Sequence, residues 1–154
     1  MDRETRATVD DHRALRLWLR LLTCSQLIER EVRRRLRERF GTTLPRFDLL
    51  AQLERHPGGL KMNELSRLLM VTGGNVTGIV DQLVKEGLVE RLDDARDRRA
   101  WRVKLTRAGE RSFGEMAREH EQWMVELMGG LSRKESDSLM QLLARLKQVT
   151  LENA

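Results

Sequence analysis

Residues 63–106, NELSRLLMVTGGNVTGIVDQLVKEGLVERLDDARDRRAWRVKLT, decide the fold, because they read as two short helices followed by a charged hairpin. Met62, Leu65, Leu68 and Leu69 fall at helical spacing; Met70, Val71 and Thr72 break the pattern. A second periodic run then carries Val76, Ile79, Val80, Leu83 and Val84 until Gly87. Its apolar residues share one side of a 3.6-residue period, while Asn75, Thr77, Gly78, Gln82 and Lys85 fall elsewhere. A buried face opposed to a small or hydrogen-bonding face suits a helix that approaches another surface closely, and the DNA major groove is one such surface.

Beyond Gly87, Leu88 to Leu92 is a short apolar and charged run, and Trp101, Val103 and Leu105 alternate with Arg102 and Lys104 as a half-buried strand does. Between the two runs lies Asp93-Asp94-Ala95-Arg96-Asp97-Arg98-Arg99, too polar to bury. Its three arginines suit a polyanion, and its three aspartates suit holding those arginines in place. Two helices and such a hairpin make a winged helix-turn-helix. An ordinary solvated hairpin is the plain alternative for the tip.

The remaining composition narrows the partners. The chain has 154 residues, room for one core, and a formal net charge of +5 that favours polyanions. Aromatic residues are 4% with no tyrosine, so arginine rather than a stacking platform carries the contacts. Cys24 is the sole cysteine, which excludes an intrachain disulfide. The start of the chain has no apolar signal core and no window is long enough to span a membrane, so a cytoplasmic protein is expected. His12, His56 and His120 are too scattered for a metal site, and no nucleophile-base-acid order or phosphate loop points to an enzyme.

Outside the central stretch the chain is helical. From about His12 to Phe40, Leu15, Trp18, Leu19, Leu22, Ile28, Val32 and Leu36 support a long amphipathic helix that Gly41 ends. Its basic later half, Arg30 to Arg39, reads equally as a route to phosphates or as a solvated face. Pro45 fits an early helical position, and His56-Pro57-Gly58-Gly59 stops the helix that carries Phe47, Leu49, Leu50 and Leu53. Arg46, near that helix's start, is a candidate contact to DNA backbone or a structural residue. Thr106 caps a further helix whose first turn Gly109 weakens, and Ser132 with Glu135 is a capping box opening the last helix. The expected fold is mainly α with a small β-hairpin wing: a winged helix-turn-helix plus a helical dimerisation region. Residues 1–154 form one domain, with 43–106 as the DNA-binding lobe and 12–40 and 107–150 as dimerisation helices. An extra intrachain bundle is the alternative for those helices. Paired lobes would read a pseudo-palindromic duplex.

In this order the elements resemble the multiple-antibiotic-resistance regulator (MarR) family over essentially the whole chain. The resemblance is carried most specifically by Gly87-Leu88-Val89-Glu90-Arg91, by Asp97-Arg98-Arg99 and by Val103-Lys104-Leu105-Thr106-Arg107-Ala108-Gly109. It implies a homodimer that binds double-stranded operator DNA, usually a repressor, released when a small molecule binds between the lobes. Arg99 matches the wing arginine that enters the minor groove, Asp97 the acidic residue that fixes the wing, and Arg98 a more variable position suited to phosphate; Arg96, at the same tip, is a further candidate DNA contact. Asn75, Thr77 and Gln82 are then candidates for base edges, with Thr72, Gly73 and Gly74 bringing backbone N–H groups to phosphate. The stretches Leu15 to Cys24 and Met70 to Gly78 resemble regulators of aromatic-acid breakdown, whose implied effector is an aromatic acid or its coenzyme A thioester. Arg16 and Arg20 are candidate partners for its anionic portion and Trp18 for its ring. No cofactor is expected. A regulator that activates, or an architectural DNA-binding protein without a switch, are the alternatives; Cys24 sits about a turn later than the cysteine of peroxide-sensing relatives.

Overall fold

A computed structural model describes residues 9–69, 73–93, 96 and 101–154. Among them run six helices and three short strands: α1 (Val9–Phe40), α2 (Leu44–Arg55), β1 (Leu60–Lys61), α3 (Met62–Leu69), α4 (Gly73–Lys85), β2 (Val89–Asp93), β3 (Trp101–Leu105), α5 (Arg107–Met128) and α6 (Arg133–Asn153). The protein is mainly helical with a β-hairpin wing, as the periodicity indicates.

Local chemistry sets the helix ends. Thr43 caps α2 by accepting from the Arg46 N–H at 3.4 Å, and Pro45 sits in the first turn, where a missing N–H costs nothing. α4 closes with Leu88 N–H donating to Leu83 O and Gly87 N–H to Val84 O, both at 3.0 Å. That pair of hydrogen bonds requires a left-handed residue, and Gly87 supplies φ +74° without a side-chain clash. At α6 the capping box forms as its spacing indicates: Glu135 N–H donates to Ser132 Oγ at 3.1 Å and Ser132 N–H to Glu135 Oε1 at 2.9 Å. Hydrogen bonds from the Ser132 backbone N–H and then from its side chain hold the Glu135 carboxyl below the usual carboxylate range.

The chain divides into two compact units, Met1–Glu119 and His120–Ala154. In the first, Val32 and Leu36 of α1 join Phe47, Leu49, Leu50 and Leu53 of α2, Leu65 of α3, and Val76, Val80 and Leu83 of α4 in the buried set. The Phe47 and Phe113 rings lie 5.4 Å apart, so the start of α5 belongs to the same packing. The antiparallel sheet runs β1-β3-β2, with Leu60 opposite Val103 and Val89 opposite Leu105. The sequence shows only the hairpin of this sheet, because a strand of two residues is too short to display alternation. In the second unit Trp123 is buried and meets His120 edge-on, whereas α6 buries none of its residues.

One junction locks α4, the hairpin and α5 together. The Thr106 hydroxyl donates to Gly87 O at 2.6 Å and accepts from Gly109 N–H at 3.0 Å, while Thr106 N–H donates to Leu88 O at 3.1 Å. Gly109, expected from the sequence to weaken the first turn of α5, is what allows this approach. A methyl group at Gly109 would lie 2.0 Å from the Leu88 carbonyl oxygen. Helix propensity favours Gly109→Ala by about 1 kcal/mol. Overpacking against a backbone carbonyl opposes it by about 1–3 kcal/mol, and here the obstacle cannot rotate away. Gly109→Ala is therefore expected to lower Tm by roughly 5 °C in thermal unfolding. A Tm unchanged or raised would mean that propensity governs and the junction yields.

Candidate nucleic-acid interface

The exposed side of α4 is built by its buried side. Val76, Val80 and Leu83 are each 0% exposed, which fixes the rotation of the helix. At 100° per residue the opposite side then carries Gly74, Gly78, Gln82 and Lys85, with Asn75 and Thr77 on its two flanks. Asn75, Thr77 and Gln82 are exposed, so the structure brings these candidates to one outward surface. Among the described residues nothing lies within 4 Å of where a side chain on Gly78 would project, which leaves room for a second surface to come close to the backbone. Gly74 lies in the first turn of α4; Thr72, Asp97, Arg98 and Arg99 lie outside the described residues. Arg96 is exposed.

Two ion pairs frame this surface. Arg91 of β2 pairs through Nη2 with Asp81 Oδ1 of α4, and its guanidinium lies 4.4 Å from the centre of the Trp101 ring on β3. Asp81, Arg91 and Trp101 thereby tie the base of the wing to α4. On the other flank Arg46 donates through Nη2 to Glu86 Oε2 at 2.5 Å, through Nη1 to Gln82 Oε1 at 3.4 Å and through Nε to Thr42 Oγ1 at 3.2 Å. Arg46 is thus a tether between α2 and α4, with two guanidinium N–H groups left over for another acceptor. Sequence reading did not single out Asp81, Glu86 or the ring of Trp101 here. Only Arg91 stood in a quoted motif, and a separation of 40 positions between Arg46 and Glu86 leaves no periodic trace.

The basic half of α1 is largely satisfied within the protein. Arg34 bridges Glu31 and Glu38, Arg35 pairs with Glu31, and Arg39 reaches Glu119 at 2.8 Å. Hydrogen bonds from Arg34 and then Arg35 hold the Glu31 carboxyl at a pKa of about 2. Nearer the start of α1, Arg16 and Arg20 join Arg13 and Leu17 on one face, around an open hollow of about 530 Å³. Trp18 does not join them: it falls about 150° round the helix and is 55% exposed. Among the described residues no group of three or more metal-ligating side chains comes together, and no helix is long and apolar enough to cross a membrane.

Comparison with known proteins agrees with this geometry. Residues 40–100 match the family model described as MarR family. Among solved structures, a MarR family transcriptional regulator from Silicibacter pomeroyi is 32% identical with a TM-score of 0.77, covering 96% of this chain and 99% of that one. A mutant MarR from E. coli complexed with operator DNA is 26% identical with a TM-score of 0.74, covering 87% and 95%. A curated relative, the transcriptional activatory protein BadR of Rhodopseudomonas palustris, is 33% identical over 98 residues. That match takes in 62% of this chain and 55% of BadR, so it spans little more than half of the curated relative.

The Asp81–Arg91 pair separates energy from geometry. Both side chains are nearly half exposed, 47% and 44%, and pairs of that kind contribute about 0–1 kcal/mol to stability. Asp81→Ala and Arg91→Ala are each expected to leave Tm nearly unchanged, yet to weaken binding to a selected duplex about tenfold by freeing the wing from α4, a loss in the range of interface positioning effects. Fluorescence anisotropy beside thermal unfolding checks this, and equal small effects on both quantities would reject the tie as a determinant of binding.

Proposed function

The chain belongs to the MarR family, and from that premise we propose that it is a cytoplasmic, homodimeric repressor whose hold on a pseudo-palindromic operator is released by an aromatic acid or its coenzyme A thioester. A transcriptional regulator with a DNA-binding fold is what membership itself gives. The observation that carries the DNA reading is the outward side of α4, where Asn75, Gly78 and Gln82 are exposed on a helix fixed from behind by Val76, Val80 and Leu83. Residues 43–106 serve as the reading lobe, with Arg99 entering the minor groove, Asp97 steadying the wing, and Arg96 and Arg98 on phosphate. Residues 12–40 and 107–150 supply the dimerisation helices.

Exposed apolar surface supports pairing. On α6, Met140, Leu142 and Leu151 are 65%, 65% and 69% exposed, and on α1, Leu15, Leu17 and Trp18 are 53–55% exposed. Runs of this kind along a helix mark surfaces that another protein covers. Two copies related by a two-fold axis place their α4 helices on half-sites about 34 Å apart. The hollow along α1 supports the effector class: three guanidiniums, Arg13, Arg16 and Arg20, surround Leu17 and suit a ligand with an anionic end and an apolar body. Such a ligand need not block the DNA surface. It need only bind more tightly to a dimer whose reading helices are wrongly spaced.

Activation is the second reading, favoured by the relative whose name is transcriptional activatory protein. Selection of bound duplexes from a random pool, followed by transcription from a promoter carrying the selected site, separates the two by the sign of the effect.

The effector assignment predicts that p-coumaroyl- or feruloyl-coenzyme A dissociates the complex in fluorescence binding. It also predicts that Arg16→Ala with Arg20→Ala keeps operator affinity while abolishing release. Trp18, on the far face, should be dispensable for release. Absence of binding by the thioesters and the free acids at high micromolar concentration in isothermal titration would remove this effector class and leave the DNA-reading dimer standing.

A further inference from the structure

The Arg46 tether constrains how Gln82 presents itself. A guanidinium has five donors and no acceptor, so a glutamine amide within hydrogen-bond distance must turn its oxygen toward it. Arg46 Nη1 meets Gln82 Oε1 at 3.4 Å, and Arg46 cannot easily leave: Glu86 holds Nη2 at 2.5 Å, Thr42 holds Nε at 3.2 Å, and the side chain is only 18% exposed. The oxygen of Gln82 is thereby committed sideways, toward α2. What remains on the outer side of α4 is the amide nitrogen with its two N–H donors.

We infer that Arg46 and Glu86 are positioning residues that make Gln82 a donor-only reader of DNA, selecting a base edge made of acceptors. This rests on the reading that α4 lies in the major groove. A free glutamine pairs with adenine through both amide atoms, the oxygen accepting from N6 and the nitrogen donating to N7. With its oxygen turned toward Arg46 on α2 and away from the outer side of α4, Gln82 is out of position to make the accepting half of that pair. Guanine, with N7 and O6 as neighbouring acceptors, then takes both N–H groups and thymine, with O4, takes one, while the N6 amino group of adenine meets another donor. Glu86 acts one step removed, since without its carboxylate Arg46 is free to swing toward phosphate or solvent and release the amide. Glutamine at a reading position is thus turned from an adenine reader into a guanine or thymine reader by a residue on a different helix.

The test is duplex selection with deep sequencing for the full-length protein and four variants. Gln82→Ala identifies the position that Gln82 reads, as the one whose preference collapses. The unsubstituted protein is expected to favour guanine or thymine over adenine there by about tenfold, in the range of a well-made base contact. Arg46→Met keeps the volume of the side chain but not its donors, and is expected to admit adenine at that position while other positions keep their preferences. Glu86→Gln should shift it the same way by a smaller factor, and decides the matter if Arg46→Met fails to fold by circular dichroism. Arg46→Met combined with Gln82→Ala should show no preference there. An adenine preference in the unsubstituted protein overturns the inference, as does an unaltered preference in a folded Arg46→Met or, failing that variant, in Glu86→Gln. An unaltered preference with a uniform loss of affinity and a salt slope smaller by about one would assign Arg46 to a phosphate contact instead. If Gln82→Ala alters no position although a site is selected, the groove reading of Gln82 fails, a result distinct from failure of the tether alone.

Discussion

Thr106 holds the end of one functional element against the start of another, and most of the architecture depends on that contact. Its hydroxyl spans from Gly87 O, just past α4, to Gly109 N–H in the first turn of α5. Its own N–H takes Leu88 O, so the reading helix, the wing and α5 meet within three hydrogen bonds. Glycine is needed on both sides of this contact for different reasons. At 87 the backbone is left-handed, and at 109 the Leu88 carbonyl occupies the space of a side chain. The first turn of α5 is therefore joined to the end of α4 through the side chain and the backbone of Thr106 together.

The exposed ion pairs contribute differently. Asp81 with Arg91 stands at the surface, where solvent screens the attraction and little folding energy results, whereas Arg46 is largely covered and reaches out to a half-exposed Glu86. What they supply is direction. Arg91 is held between a carboxylate on α4 and the face of Trp101, which fixes the wing base relative to the helix. Arg46 fixes which end of the Gln82 amide faces outward. A DNA-reading surface needs such direction more than stability, because a donor where an acceptor is required costs a full hydrogen bond on each half-site.

Periodicity made the helix pair, the wing strands and the two long C-terminal helices legible, and local chemistry made Gly41, Thr43, Gly87 and Ser132 legible as ends. Those features depend on neighbours within four or five positions. What escaped depends on neighbours far along the chain. β1 is defined only by Val103 and Arg102 across the sheet, and Arg46 meets Glu86 through folding alone. Gly109 was legible as a weak helix former, but its value lies in the approach of Leu88 from the turn before β2. Trp18 is the exception, since helical arithmetic alone sets it away from Arg16 and Arg20, and residue type had grouped it with them.

The geometry of duplex DNA explains why a firm junction would matter in the homodimer proposed above. Successive base pairs advance about 3.4 Å and turn by roughly 35°, so one base pair of error in spacing both displaces a second reading helix and carries the groove out from under it. A lobe loosely attached to α5 would absorb a change at the dimer helices and keep both half-sites engaged. With α4 clamped to α5 through Thr106, the same change must appear as a misplacement of the outward face of α4. In the homodimer proposed above, a ligand that prefers one arrangement of α1 would then oppose both half-site contacts at once, because neither lobe could accommodate separately.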